Sequence, residues 1–150
     1  MDNSIELPQT TRCAFCDYLS GRRPYTVVRR NDEVATLVTR EQRGIGHVLV
    51  VPIPHCPTIL DLTSSERCAL IDEVAAAARA IDKAFGRPGI AVWQNNGLPA
   101  GQAIPHVHFH VAGTLPAGGT ERGNVEELSL AATDAIAQVL APHLLDSQNE

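Results

Sequence analysis

Three of the six histidines stand at every second position of the run His106–His110, a spacing that could support chemistry. Side chains on a β-strand alternate between its two faces, so the three rings are predicted to share one face, about 7 Å apart along the strand. The intervening Val107 and Phe109 are predicted to share the other face and to pack into the core. Because imidazole titrates near neutral pH, this pattern predicts a functional site. The alternative is a solvated or metal-binding strand that takes no part in catalysis.

A loop of small residues precedes the histidine run. Gly97, Ala100 and Gly101 allow the backbone to approach a ligand closely, and the N–H groups of such a loop can face anionic oxygens. Segments rich in glycine and proline are usually plain turns. Directly upstream of three histidines, however, this loop is interpreted as a phosphate cradle.

Two of the four cysteines, Cys13 and Cys16, form a C-x2-C pair, and this spacing suits two ligands of one tetrahedral zinc ion. The pair alone is half of a site, so an idle thiol pair or a redox pair stays open. Cys56 is a possible competing ligand. Cys68 falls on a predicted helix and is expected in the core or on the surface.

The elements that must position these residues are β-type runs interrupted by one long helix, which predicts an α+β fold. The predicted strands are Thr26–Arg29, Val34–Val38, His47–Val51, Ile90–Gln94 and His106–Ala112. The predicted helices are Phe15–Ser20, a long helix from the Thr63 capping box to Gly86, and Val125–Leu140. An apolar stripe predicts the buried face of the long helix as Leu70, Ile71, Val74, Ala77, Ala78, Ile81 and Phe85.

Length and charge narrow the class of protein. A chain of 150 residues predicts a single domain, with residues 1–11 as a flexible arm and residues 124–143 as a carboxyl-terminal helix extension. A net charge of −5 argues against binding to a nucleic-acid polymer or a membrane surface, both of which favour a basic face. The sequence shows neither a run of roughly 20 apolar residues nor a secretory signal, so we expect a cytoplasmic protein.

Several motifs resemble, in order, those of the histidine-triad (HIT) superfamily, and particularly its zinc-containing bacterial-type members. The resemblance covers the chain from about Cys13 to Gly113, including the run Gly46–Pro52 and His55 after it. Its most specific part is Asn95-Asn96-Gly97-(x)3-Gly101-Gln102-(x)3-His106-Val107-His108-Phe109-His110-Val111. The resemblance implies a HIT-like antiparallel sheet of about five strands with one long helix.

The activity implied by the resemblance is nucleotidyl hydrolysis or transfer at the α-phosphate of a nucleoside phosphoramidate or a dinucleoside polyphosphate. His108 corresponds to the nucleophile, which would form a nucleotidyl-histidine intermediate. The implied catalytic residues are His108, His110 and Gln102. The implied substrate-binding residues are Thr39, Asn95, Gly101, Gln102, Ala103, His108 and His110, and His47 is a candidate to orient the triad.

The resemblance also implies a cofactor and an assembly. His55 and His106 would complete a Cys2His2 set with Cys13 and Cys16, holding one structural zinc ion per chain. Members of the family commonly form symmetric homodimers through the long helix and a strand edge, so we expect a homodimer that binds a small nucleotide.

Two positions depart from the family pattern. Ala103 stands where a serine or threonine is frequent, and Thr39 stands where one branch has an aspartate that holds the ribose. These departures keep open a nucleotide-binding sensor or partner protein with little turnover. A third hypothesis is a metal-dependent hydrolase that uses His106, His108 and His110 as ligands.

Overall fold

Five antiparallel strands form the centre of the fold, in the spatial order β1-β2-β3-β5-β4. The structure, a computed structural model, describes residues 4–146. Its strands are β1 (Val27–Arg30), β2 (Val34–Val38), β3 (Ile45–Pro52), β4 (Ile90–Trp93) and β5 (Phe109–Gly113). Its helices are α1 (Ala14–Ser20), α2 (Ser64–Phe85) and α3 (Leu130–Asp146), with short 3-10 turns at Ile59–Asp61 and Leu98–Ala100. The predicted α+β fold with a five-stranded antiparallel sheet is confirmed.

The capping box predicted for the long helix is present. The Thr63 side chain accepts a hydrogen bond from the backbone N–H of Glu66 at 3.1 Å, and the Glu66 carboxylate accepts one from the N–H of Thr63 at 2.8 Å. Gly86 ends the helix at a φ of 60°, a left-handed conformation that glycine adopts without steric cost. The sequence signals at both ends therefore set the bounds of α2.

The sheet separates two apolar clusters, one on each face. Val107 and Phe109 pack with α2 and α3 in the larger cluster, as the alternation predicts. Leu49 and Val51 point to the opposite face and pack with Phe15 of α1. The histidine side chains therefore lie on the face of the sheet that α1 partly covers.

The last strand begins later than predicted, at Phe109 rather than His106. Val107 donates its N–H to the carbonyl of Cys56, in the loop after β3, so His106 and His108 precede the regular ladder. Alternation still holds, because the chain stays extended enough to keep Val107 in the core.

The carboxyl-terminal helix also differs from the prediction over 124–143. It begins at Leu130, where the hydroxyl of Ser129 caps the helix by accepting the N–H of Ala132 at 3.1 Å, and Arg40 holds the preceding segment through the carbonyl of Leu128. It continues through Pro142, where the missing N–H removes one helical hydrogen bond. Burial of Leu144 against the core explains why the last turn persists.

The single domain and the flexibility of residues 1–11 stay predictions. Residues 1–3 and 147–150 lie outside the described residues, and within the arm the carbonyl of Glu6 accepts a hydrogen bond from Leu98 N–H at 2.7 Å. Among residues 4–146, no helix combines the length and the apolar character that crossing a bilayer requires.

One buried carboxylate on α2 was not predicted, and one predicted core residue is exposed. Ile71 is 52% exposed, whereas Glu73 is 6% exposed and faces β1 and β2. Arg29 pairs with Glu73 through two hydrogen bonds of 2.9 and 2.7 Å and donates a third, at 2.6 Å, to the carbonyl of Leu144. The hydroxyl of Thr36 donates to the same carboxylate. This network connects β1, β2, α2 and α3.

Glu73→Ala is expected to lower the free energy of unfolding by about 3 kcal/mol, because it leaves the Arg29 guanidinium without its carboxylate partner. The measurement is urea unfolding followed by circular dichroism. Glu127→Ala is the control, since its pair with Arg40 is largely exposed and such pairs contribute at most about 1 kcal/mol. Equal effects of the two substitutions would contradict this account.

Candidate functional site

A cleft of about 970 Å³ opens on the face of the sheet that α1 partly covers. Its lining includes His108 and His110 from the histidine run, Trp93 and Asn95 near the end of β4, Phe15 of α1, and Thr39 after β2. Six of the predicted site residues therefore lie around one cavity: Thr39, Asn95, Gly101, Ala103, His108 and His110. His106 is fully buried beneath it and does not line it.

His108 presents a single nitrogen to the cleft. Its Nδ1 lies 2.8 Å from the carbonyl oxygen of His106, and because a carbonyl can only accept, Nδ1 carries the proton. The other nitrogen, Nε2, then has a free lone pair in the neutral ring. Burial lowers the pKa of His108, so the neutral form is favoured near pH 7.

His110 presents the opposite group, an N–H donor, because a chain of hydrogen bonds fixes its tautomer. The backbone N–H of Arg43 donates to Nδ1 of His47 at 3.0 Å, so the proton of neutral His47 lies on Nε2. That Nε2–H donates to Nδ1 of His110 at 3.0 Å. Neutral His110 therefore carries its proton on Nε2, the nitrogen that remains for a ligand.

The bend in β3 that positions His47 depends on a glycine. The pairing of β3 with β5 shifts register between Ile45 and Val48. Gly46 has a φ of +67°, and a Cβ there would lie 2.6 Å from the ring of Phe85. The predicted orienting role of His47 thus rests on a backbone conformation that favours glycine at the preceding position.

Burial keeps the rings of His47 and His110 neutral. It lowers the pKa of His47 to about 3, with the charge of Arg43 acting in the same direction. Burial, followed by His108, His47 and Arg43, lowers the pKa of His110 as well. The tautomers assigned above therefore persist at neutral pH.

Trp93 is a site residue that the sequence analysis missed. Its indole is parallel to the His110 ring, with centroids 4.6 Å apart and an interplanar angle of 3°. The two residues are direct partners across β4 and β5. The available signal was its place as the only tryptophan, two residues before Asn95, but its partner depends on the strand register.

The prediction for Gln102 needs correction, because its side chain does not lie where a catalytic or substrate-binding group would. The side chain is buried, its Oε1 accepts the N–H of Gly97 at 2.6 Å, and its Nε2 donates to the carbonyls of Pro57 and Ile104 at 2.7 and 2.9 Å. All of its donors are occupied by the backbone, so Gln102 holds the loop in shape.

The predicted phosphate cradle is partly occupied by its own turn. The N–H groups of Gly101 and Gln102 donate to the carbonyls of Leu98 and Gly97. Within residues 4–146, the N–H of Ala103 and the side-chain amide of Asn95 make no hydrogen bond, and both residues line the cleft. The donors available to an anion are therefore fewer than the glycine pattern suggests.

The remaining wall of the cleft comes from the segment after β5. Arg43 donates to the carbonyl of Gly123 at 2.8 Å, and Arg40 donates to that of Leu128 at 2.7 Å. These arginines fix the wall to the β2–β3 connection. Thr39, beside them, lines the cleft and accepts the N–H of Glu41 at 3.2 Å.

A second cluster lies beneath the histidine run. The ligand atoms of Cys13, Cys16, His55 and His106 all lie within 4.8 Å of one another. Sulfur-to-nitrogen distances are 3.3 Å from Cys13 to His106, 3.5 Å from Cys16 to His55 and 3.6 Å from Cys16 to His106. Tetrahedral zinc, with bonds of about 2.3 Å to sulfur and 2.0 Å to nitrogen, separates such ligands by about 3.5 Å. The donor set therefore fits zinc.

Hydrogen bonds direct His106 toward the cysteines and away from the cleft. Its Nε2 donates to the carbonyl of Pro52 at 2.8 Å, which leaves Nδ1 unprotonated toward the two sulfurs. Cys56 instead points to the carbonyl of Thr58, and Cys68 is exposed on α2. His106, His108 and His110 do not converge on a shared point, so the hypothesis of a catalytic metal on all three is not supported.

Sequence comparisons identify the family to which this chain is similar. Residues 20–116 match the family described as HIT domain. An uncharacterized HIT-like protein of Methanocaldococcus jannaschii is 34% identical over 66% of this chain and 76% of its own length. An adenylylsulfatase of Arabidopsis thaliana is 31% identical over 66% of this chain and 50% of its own length. An adenosine 5'-monophosphoramidase of Schizosaccharomyces pombe is 31% identical over 66% of this chain and 71% of its own length.

Solved structures share the fold. A HIT-like protein from Bartonella henselae superposes with a TM-score of 0.82 at 22% identity, covering 91% of this chain and 98% of its own. A zinc-bound histidine triad family protein from Mycobacterium smegmatis superposes with a TM-score of 0.76 at 19% identity, covering 91% and 96%. With the family match over residues 20–116, these findings show that the chain belongs to the HIT domain family.

Proposed function

We propose that the protein is a nucleotidyl hydrolase or transferase in which Nε2 of His108 attacks the α-phosphorus of a small nucleotide. The observation that carries this proposal is the hydrogen bond from His108 Nδ1–H to the carbonyl of His106, which leaves Nε2 as a lone pair at the cleft. A neutral imidazole in this state is a competent nucleophile without a metal ion.

The first step forms a bond from Nε2 to phosphorus while the bond from phosphorus to the leaving group breaks. The leaving group takes that electron pair and, where it is an amine, also takes one proton from solvent. Water then displaces Nε2, one proton passes to solvent, and His108 returns to its neutral form. Each step is a single displacement at phosphorus, so the work of the protein is alignment and stabilisation of charge.

The donors for the phosphoryl oxygens would be the Nε2–H of His110, the N–H of Ala103 and the amide of Asn95. All three belong to residues of the cleft lining, and the His110 donor is fixed by His47 before any ligand binds. Fixed donors stabilise developing charge without reorganisation. Gly101 would contact the substrate through van der Waals packing, and Thr39 would contact it through its hydroxyl.

The substrate class follows from the relatives by analogy. An adenylylsulfatase and a phosphoramidase both act on nucleotides, which favours a nucleoside phosphoramidate or a mixed anhydride. A dinucleoside polyphosphate is the other candidate, since Thr39 replaces the ribose-holding aspartate of the phosphoramidase branch.

His108→Ala is expected to lower turnover of adenosine 5'-phosphoramidate by at least about a thousandfold, because no other lone pair replaces the nucleophile. Mass mapping after mixing with substrate should locate the nucleotidyl adduct on His108 in the wild-type protein. His143→Ala, a histidine on α3 outside the cleft, is the control and should keep full activity.

The same experiment separates the proposal from a nucleotide-binding sensor with little turnover. Ala103, which lacks a hydroxyl beside the phosphate donors, is the observation that favours a sensor. Tight binding of AMP by calorimetry, with neither adduct nor turnover across phosphoramidate and dinucleoside polyphosphate substrates, would favour the sensor and sink the enzyme.

The pH at which kcat/KM falls on the acid side is expected to lie below 6.5, the ordinary pKa of histidine. His47 and His110 must be neutral to keep their tautomers, and burial lowers both pKa values, that of His47 to about 3. They gain a proton only when the pH falls below these lowered values, so activity should stay level from about pH 8 to pH 6.5. Circular dichroism over the same range checks that the fold persists, and a half-maximal rate at or above pH 6.5 contradicts the assignment.

We also propose that Cys13, Cys16, His55 and His106 hold one structural zinc ion per chain. Burial and the neighbouring Cys13 raise the pKa of the Cys16 thiol to about 11, so a bound cation is needed to favour the thiolates that zinc requires. Four protein ligands leave no open position for water, which makes such an ion structural.

Protein purified without chelator is expected to contain about one zinc ion per chain by elemental analysis. Cys16→Ala should lose most of it and lower the melting temperature, because α1 is no longer tied to the histidine run. Cys68→Ala, an exposed cysteine on α2, is the matched control and should keep its zinc. Absence of zinc from the wild-type protein, or equal zinc in both variants, contradicts the site.

A homodimer stays a prediction. β4 is an edge strand of the sheet, Val92 on it is 49% exposed, and Ile71 on α2 is exposed as well. An unpaired edge with apolar side chains favours pairing with a second copy, which sedimentation velocity can detect. The cytoplasmic location and the absence of nucleic-acid binding also stay predictions.

A further inference from the structure

The single tryptophan of the chain lies against the donor histidine of the cleft. Trp93 and His110 face each other across β4 and β5, and their rings are parallel at a centroid distance of 4.6 Å. The His110 ring also contacts the His108 ring edge-on, with centroids 5.0 Å apart and an interplanar angle of 62°. The ring of His47 is tilted against it by 41° at a centroid distance of 5.2 Å, so Trp93 is the one parallel neighbour among these three rings.

One hydrogen bond alone does not fix the plane of this ring. His47 holds Nδ1 of His110 at 3.0 Å, but the χ2 torsion of histidine is broad and allows the ring to tilt about that bond. Tilting would move Nε2–H away from a phosphoryl oxygen. A parallel indole surface opposes it, because stacking is lost when the two planes separate.

We propose that Trp93 is a positioning residue, which holds the plane of His110 so that its Nε2–H points into the cleft toward the transferred phosphoryl group. This inference rests on the proposed function for its kinetic consequence. The structural part, a fixed plane and a fixed tautomer, stands without it.

The surroundings indicate that the indole acts on a neutral ring and not on an imidazolium. His47 of β3 and His108 before β5 face His110, and the charge of Arg43 in the β2–β3 connection opposes protonation. Burial and these neighbouring groups all lower the pKa of His110. Trp93 therefore acts through geometry, and its loss should affect the transition state more than substrate binding.

The test compares Trp93→Leu with the conservative Trp93→Phe. Trp93→Leu is expected to reduce kcat about tenfold or more while KM changes less than about threefold, because a misdirected donor weakens transition-state stabilisation. Trp93→Phe should recover most of kcat, since a phenyl ring restores the flat surface. Ile90→Ala is the control for loosening β4, as Ile90 packs on the core and does not line the cleft.

A readout independent of activity comes from nitrogen-15 correlated NMR of the histidine side chains. In the wild-type protein the His110 ring protons should be shifted upfield by the indole above them, and its nitrogens should report the Nε2–H tautomer. Both signatures should persist in Ile90→Ala. In Trp93→Leu the Nε2–H tautomer set by His47 should remain, whereas the His110 ring resonances should broaden because the ring is free to tilt. If Trp93→Leu fails to fold, the wild-type spectrum still decides the structural part.

Two results would overturn the inference. One is a wild-type His110 without the upfield shift or with the Nδ1–H tautomer, and the other is Trp93→Leu with unchanged kcat and His110 ring resonances as sharp as in the wild-type protein. Failure of the proposed function is a separate result: His108→Ala would then keep its turnover, or no substrate would turn over, while the NMR signatures of His110 remain.

Discussion

The carbonyl oxygen of His106 accepts the Nδ1 proton of His108, and the chemistry of the cleft depends on this contact. It decides which nitrogen of His108 carries the lone pair, and it can do so because His106 itself is held at both of its ring nitrogens. One nitrogen donates to Pro52 and the other faces the two cysteine sulfurs. A residue that lies outside the cleft therefore sets the state of the residue proposed to react within it.

The two cleft histidines carry complementary groups although both are neutral. His108 is bonded to an acceptor through Nδ1, and His110 is bonded to a donor through Nδ1, so one offers a lone pair and the other an N–H. The difference comes from their neighbours alone, since the two residues are of one type and two positions apart. The second chain of bonds ends at the backbone N–H of Arg43, a group that does not titrate, and this makes the arrangement independent of pH near neutrality.

Local sequence signals predicted what depends on nearby residues. The alternation of Val107 and Phe109 with the histidines, the Thr63 capping box and the Cys13–Cys16 spacing all describe contacts within one turn or strand. Trp93 and Glu73 could not be found in this way. The partner of Trp93 follows from the register of β4 on β5, and a carboxylate on an apolar helix face is tolerated only because Arg29 and Thr36 reach it from two strands.

A net charge of −5 does not prevent this cleft from binding an anion, because the relevant field is local. The side chains of Arg40 and Arg43 are committed to backbone carbonyls of the wall and are not free to form a clamp on phosphate. Arg43 nevertheless lines the cleft, and its charge adds to burial in lowering the pKa of both His47 and His110. Burial is the main reason that these rings stay neutral, and the charge of Arg43, which acts in the same direction, would also attract a phosphoryl group. The cleft can therefore attract an anion while its histidines stay uncharged. Protonated histidines would attract an anion as well, but a protonated His108 has no lone pair with which to attack phosphorus.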